Sequence, residues 1–95
     1  MRKIILADCQ EFAVSMCGAA DGVLWIRFVK DTVDFPGLVQ VFSDPEKTCK
    51  IVHTYDFEGM ETEYDNYTEL INIHITYEKE FMLALRFQEP EQEET

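Results

Sequence analysis

The sequence predicts a mainly β domain, in which a small antiparallel sheet of about six strands curls into a sandwich or partial barrel. Three observations support this prediction. Apolar residues recur at every second position over most of the chain, which is the period of a half-buried strand. Turn-forming residues separate these stretches, and at most one short segment, near residues 36–42, resembles a helix. An α+β arrangement, with that helix packed on one face of the sheet, is the alternative.

The first two predicted strands form a hairpin. Residues 11–17 alternate between apolar and polar positions, and residues 23–30 are largely apolar on both faces, which is typical of a central strand. Asp21-Gly22 precedes the second strand, and glycine supplies the positive φ angle that a tight hairpin turn requires. A phosphate-binding loop would need a lysine or a following helix, and neither is present. The hairpin therefore explains the glycines of this segment.

The next segment breaks the alternation. Residues 35–42, FPGLVQVF, are expected to form a short helix with a proline near its start. A strand is the second choice, because residues 38–42 are rich in β-forming residues. Residues 44–47, DPEK, are typical of a turn.

Three more strands follow in the second half of the chain. Residues 51–57, 71–77 and 81–87 each place apolar side chains on one face, and Glu78-Lys79-Glu80 is short enough for a hairpin turn. Glu58-Gly59 marks another turn or bulge. We expect one folded domain over residues 1–87. Residues 88–95, QEPEQEET, contain no apolar side chain and are expected to form a disordered acidic tail.

Size and charge limit the functions that this chain can have. It has 95 residues and a formal net charge of -11, and 46% of its residues are hydrophobic, which argues against intrinsic disorder. Residues 51–95 carry twelve acids and two bases, whereas residues 1–50 carry seven acids and six bases. Such a chain repels nucleic acids and anionic membranes and attracts basic proteins. Because no signal peptide or membrane-spanning run is evident, a cytoplasmic location is expected.

The sequence predicts no catalytic centre, metal site or cofactor. Cys9, Cys17 and Cys49 fit neither a disulfide framework nor a CxxC pair, so we expect free, buried, structural thiols. His53 shares a predicted strand face with apolar residues and is expected to be partly buried and hydrogen-bonded. A zinc site built from His53, His74 and Cys49 would lack the usual ligand spacing.

Acidic side chains and tyrosines concentrate between residues 56 and 69. In an extended strand Glu61, Glu63 and Asp65 lie on one face, and Glu58 and Glu69 are candidates to extend that row. The segment lacks the ligand spacing and turn glycine of a calcium loop. We expect either a surface that binds a basic protein or a merely solvated face. The candidate partner-binding residues are Asp56, Glu58, Glu61, Glu63, Tyr64, Asp65, Tyr67 and Glu69.

A resemblance to known proteins lies in three segments of the chain, VFSDPEKTCKIVHTY, DNYTELINIHI and FMLALRF. Over about residues 38–87 the chain resembles small uncharacterised proteins that are encoded in prophages of Gram-positive bacteria. The resemblance rests on a Phe-Ser-Asp-Pro turn and a Tyr-Thr-Glu-Leu strand start. It implies a mobile-element setting and assigns no active residues.

Two functions fit these observations. The first is a small, non-enzymatic protein-binding or structural accessory protein, phage-derived in the setting above, that recognises a basic protein through an acidic sheet surface. The second is an inhibitor that mimics nucleic acid and occupies a nuclease or another DNA-binding protein, as anti-restriction and anti-CRISPR proteins do. Scattered acids favour the first function, and a continuous ribbon of acids favours the second.

Overall fold

The computed structural model describes residues 2–55 and 60–89, and in these ranges it contains seven strands and two short helices. The strands are β1 (Lys3–Leu6), β2 (Glu11–Ala20), β3 (Val23–Phe28), β4 (Lys50–Thr54), β5 (Glu61–Asp65), β6 (Tyr67–Ile75) and β7 (Phe81–Phe87). The helices are α1 (Phe35–Phe42) and α2 (Pro45–Thr48).

All seven strands belong to one antiparallel sheet in the order β5-β4-β1-β2-β3-β7-β6. β5 and β6 lie at opposite ends of this order, yet only Asn66 separates them along the chain. The sheet therefore curls until its two end strands meet at a single residue, and no ladder of hydrogen bonds joins them in the described part of the chain. The mainly β fold that the alternation predicts is confirmed.

Asn66 forms the corner between the two end strands. Its backbone is left-handed, with φ 66°. Its N–H donates to the carbonyl oxygen of Cys49 at 2.9 Å, and its own carbonyl accepts from the N–H of Gln88 at 2.8 Å. The corner therefore ties the segments before β4 and after β7 to the chain between β5 and β6.

The hairpin between β2 and β3 has the tight turn that the sequence predicts. Ala20 pairs with Val23, so only Asp21 and Gly22 form the loop. Their φ angles are 53° and 78°, and two positive φ values are the mark of a type I′ turn. β3 lies between β2 and β7, as expected for a strand that is apolar on both faces.

Alternate side chains of the strands point into one core. The fully buried apolar residues include Ile4, Leu24, Ile26, Phe28, Ile51, Leu83 and Leu85. α1 adds Leu38 and Phe42 to this core, and the ring of Phe42 lies 5.6 Å from that of Phe28. The side chain of Asp34 caps α1 by accepting from the N–H of Gly37 at 2.7 Å. The helix that was preferred over a strand for residues 35–42 is therefore confirmed.

Two elements differ from the sequence prediction. The expected turn over residues 44–47 is the one-turn helix α2, because the carboxylate of Asp44 accepts from the N–H of Glu46 at 3.0 Å and Pro45 fits the first turn. The described residues thus contain two short helices rather than at most one. β1 was not predicted, and it pairs with both β2 and β4.

β6 also departs from the predicted strand over residues 71–77. It begins at Tyr67, and the register slips between Leu70 and Asn72 where it pairs with β7. The slip shifts the phase of the alternation, so that Leu70 and Ile73 both pack on the core whereas Ile71 is 38% exposed.

Some expectations concern residues outside the described ranges. The turn at Glu58-Gly59 and nearly all of the acidic tail are among them, and only Gln88 and Glu89 of that tail are described. Within the described residues, no helix is both long and apolar enough to cross a bilayer.

Candidate functional site

The predicted row of acids lies on β5. Along this strand Glu61, Glu63 and Asp65 are exposed, whereas Thr62 and Tyr64 are half-buried. The cause is the pairing with β4, which places Thr62 opposite His53 and Tyr64 opposite Ile51, and both of these β4 residues are buried. The three carboxylates therefore share the outer face of the sheet, as an extended strand requires.

The backbone of the same three residues points away from β4. In an antiparallel pair, residues alternate between those that exchange hydrogen bonds with the partner strand and those that do not. The N–H of Tyr55 donates to Met60 at 3.1 Å, and the N–H of Asn66 donates to Cys49 at 2.9 Å, which makes the even-numbered residues of β5 the bonded ones. The N–H and C=O groups of Glu61, Glu63 and Asp65 consequently face the free edge of the sheet.

Few cations neutralise this row. Lys50 Nζ lies 3.7 Å from Glu63 Oε1, and both side chains are about half exposed. Lys3, on the same outer face, is paired with Glu11 at 2.8 Å. Among the described residues, Glu61 and Asp65 have no ion-pair partner. β5 therefore presents a largely uncompensated negative charge at a strand edge that no other described strand pairs with.

The other predicted partner-binding residues that the structure describes, Tyr64, Tyr67 and Glu69, do not extend this row. Tyr64 and Tyr67 pack against the core, with their ring centroids 6.1 Å apart across the corner. Burial is the main cause that raises the pKa of Tyr64 to about 12. Glu69 lies beyond the corner on β6, where Arg86 holds it at 3.2 Å. Asp56 and Glu58 lie outside the described residues.

The cysteines are not all buried, contrary to the sequence expectation. Cys9 and Cys49 are exposed, because Cys9 lies in the turn between β1 and β2 and Cys49 follows α2. Only Cys17 packs on the core, and burial raises the pKa of its thiol to about 12. This thiol therefore stays protonated at neutral pH and is a poor nucleophile.

His53 is buried more deeply than predicted and lacks the expected hydrogen bond. It is 1% exposed, and neither ring nitrogen has a hydrogen-bond partner in the described part of the protein. Its ring packs against that of Tyr55, with centroids 4.3 Å apart. Burial, followed by repulsion from Arg2, lowers the pKa of His53 below its ordinary value of 6.5. No cluster of three metal-ligating side chains occurs among the described residues.

One exposed apolar surface does not follow from the sequence prediction. Ile71, Ile75 and Tyr77 are 38%, 54% and 99% exposed, and all three lie on β6 or in the turn that follows it. The signal was present in the letters LINIHITY, residues 70–77, which contain no charged residue. It was missed because alternating isoleucines predict a buried face equally well.

No family model, curated protein or solved structure matches this chain.

Proposed function

We propose that this chain is a small protein-binding accessory protein, without enzymatic activity, that binds a basic, extended segment of a partner protein at the edge of β5. One observation carries the proposal. The three residues whose carboxylates are exposed, Glu61, Glu63 and Asp65, are also the residues whose backbone N–H and C=O groups face the free edge. Charge and backbone hydrogen bonding therefore act at the same place.

This geometry supports one kind of partner segment. An extended peptide that adds to a sheet edge binds through its main chain, and its alternate side chains provide specificity. Each peptide residue that exchanges hydrogen bonds with Glu61 or Glu63 would lie opposite that acid and point to the same face, about 5 Å away between Cβ atoms. Opposite charges in this position stabilise the pair, so the partner carries lysine or arginine at every second residue.

The alternative is an inhibitor that mimics nucleic acid, and it needs a continuous ribbon of unpaired acids. The pairing of Glu63 with Lys50 and of Glu69 with Arg86 interrupts such a ribbon. A row of three acids on an edge strand matches the side chains of an extended peptide better than it imitates the regularly spaced phosphates of a nucleic-acid duplex. Charged residues on edge strands also prevent aggregation, and a binding experiment must therefore separate that role from recognition.

The test uses a fluorescently labelled peptide in which lysine and valine alternate. Its fluorescence anisotropy should report binding that weakens as salt is added, because screening reduces the attraction between exposed charges. A peptide of the same composition with its lysines in one block should bind more weakly. Equal affinity for both peptides would overturn strand addition and leave only general charge attraction.

N-methylated peptides test the backbone register directly. N-methylation at the lysines removes the donors that would face β5 and should abolish binding, whereas N-methylation at the valines should be tolerated. The variant E61K/D65K should lose binding. The control E46K/E78K changes the net charge equally at exposed acids outside β5. It should retain binding, because replacing Glu78 still leaves Arg27 its contact with Glu80 at 2.5 Å.

A further inference from the structure

The two end strands of the sheet have opposite characters. The edge of β5 is acidic, whereas residues 70–77 of β6 and its following turn carry no charged side chain. Ile71, Ile75 and Tyr77 are 38%, 54% and 99% exposed on this segment. Proteins usually protect an exposed strand edge with charges, as β5 does, and an apolar edge without them is a site for pairing with another strand.

The backbone of β6 is available for such pairing. The N–H of Thr76 donates to Glu80 at 2.7 Å, and Ile75 and Ile73 lie opposite Phe81 and Leu83 of β7. Thr76 is therefore a bonded position in this pair, and the alternation makes Ile73 and Ile75 the positions that do not bond β7. Their N–H and C=O groups face the free edge of β6.

We infer that β6 pairs with β6 of a second copy of this chain, in an antiparallel arrangement about a two-fold axis at His74. In this register Ile73 of each copy exchanges hydrogen bonds with Ile75 of the other. The exposed side chains of Ile71 and Tyr77 lie at the two ends of this pairing, so Ile71 of each copy approaches Tyr77 of the other. Such mutual pairing is the requirement for an isologous dimer.

Charge gives a basic partner no advantage at this strand and lets a second copy approach it. Two chains of net charge -11 repel each other, and an uncharged strand is a place where they can meet at the lowest electrostatic cost. The acids that flank this strand are held by cations of the same chain: Glu69 by Arg86, and Glu78 and Glu80 by Arg27. Among the residues that the structure describes, a basic partner would find no free acid next to this strand, unlike at β5. The dimer and peptide binding at β5 therefore use different edges.

The first test is the molar mass in solution, measured by light scattering or sedimentation over a wide range of protein concentration. We expect a dimer that strengthens with added salt, because salt screens the repulsion between the two chains. The variant Ile75→Lys should be a folded monomer. The control Val39→Lys, at a 36% exposed position of α1, should remain dimeric. A wild-type protein that is monomeric throughout, or a dimer that survives Ile75→Lys, would overturn the inference.

A cross-link tests the register. In the proposed dimer the two copies of residue 74 form a non-hydrogen-bonded pair, whose Cα atoms lie about 4.5 Å apart, within the range that a disulfide spans. In a background with Cys9 and Cys49 replaced by serine, His74→Cys should form a disulfide-linked dimer on mild oxidation. Asn72→Cys, which would face Thr76 of the second copy, should cross-link poorly. Equal cross-linking of both variants would exclude this register.

Discussion

The rings of Tyr64 and Tyr67 meet edge to face, 6.1 Å apart between centroids, on either side of Asn66. Tyr67 also contacts Phe87 of β7, with ring centroids 5.6 Å apart. Side-chain packing and the two backbone hydrogen bonds of Asn66 thus act together where the ends of the sheet meet. The corner is therefore a place where single substitutions should affect the whole domain.

Asn66→Ala should lower the free energy of unfolding by about 1 kcal/mol, because alanine pays roughly that amount in the left-handed conformation, which asparagine adopts more readily. Its φ of 66° identifies that conformation. Asn66→Gly should stay close to the wild type, since glycine adopts positive φ freely. Urea unfolding of the two variants measures the difference, and equal losses would show that the asparagine side chain, not the backbone, matters here.

The glycines of the first hairpin provide a matched pair. Gly22 has φ 78° in the turn, whereas Gly18 lies in β2 without a positive φ and with no atom within 4 Å of where a Cβ would be. Gly22→Ala should cost about 1 kcal/mol of stability. Gly18→Ala should be neutral or slightly stabilising, because alanine loses less conformational entropy on folding than glycine. Thermal unfolding of both variants tests this contrast.

The three thiols should differ in reactivity. Cys9 and Cys49 are exposed, so an aromatic disulfide reagent should modify two thiols rapidly at neutral pH. Cys17 should react slowly until the protein is unfolded, because it packs on the core and its pKa is raised to about 12. Cys17→Ala should abolish the slow phase alone. Three equally fast thiols in the folded protein would contradict this arrangement.

His53 should make stability depend on pH. The folded protein holds this ring neutral with a pKa below 6.5, whereas the unfolded chain protonates it near 6.5. The unfolded state therefore binds more protons below this pH, and stability is lost as the pH falls from 6.5 towards the folded pKa. The difference of at most one bound proton limits the loss from this group to about 1.4 kcal/mol per pH unit.

A substitution isolates this contribution from that of the carboxylates. His53→Phe removes two buried ring nitrogens that no described residue contacts by a hydrogen bond, so it should preserve stability at pH 7 and weaken the loss below pH 6.5. The wild-type protein is the control. Chemical denaturation of both proteins at several pH values gives the two slopes, and parallel curves would contradict the assignment.

Strands with long alternating patterns could be predicted from the sequence, and short or tertiary features could not. β3 and β7 carry six and seven residues of alternation, whereas β1 has only four residues and shows too little of a period to be recognised. α2 depends on the capping carboxylate of Asp44, and the same residues are equally typical of a turn.

The candidate site was predictable only in part, for the same physical reason. The alternation along β5 places three acids on one face, and this expectation agrees with their exposure. That β5 is an end strand follows from its pairing with β4 alone, which no local pattern encodes. The unpartnered state of His53 likewise depends on Tyr55 and the surrounding sheet, which assemble only in the folded chain.

The strand order has a consequence for how the protein is made. β3 pairs with β2, which precedes it directly in the chain, but its other edge pairs with β7, which begins only at Phe81. One edge of β1 likewise stays unpaired until β4 has been synthesised. During synthesis the β2–β3 hairpin can form early, while the apolar side chains of Leu24 and Ile26 stay uncovered until most of the chain has left the ribosome. Partners so distant in sequence slow folding, and the growing chain is exposed to aggregation during that interval.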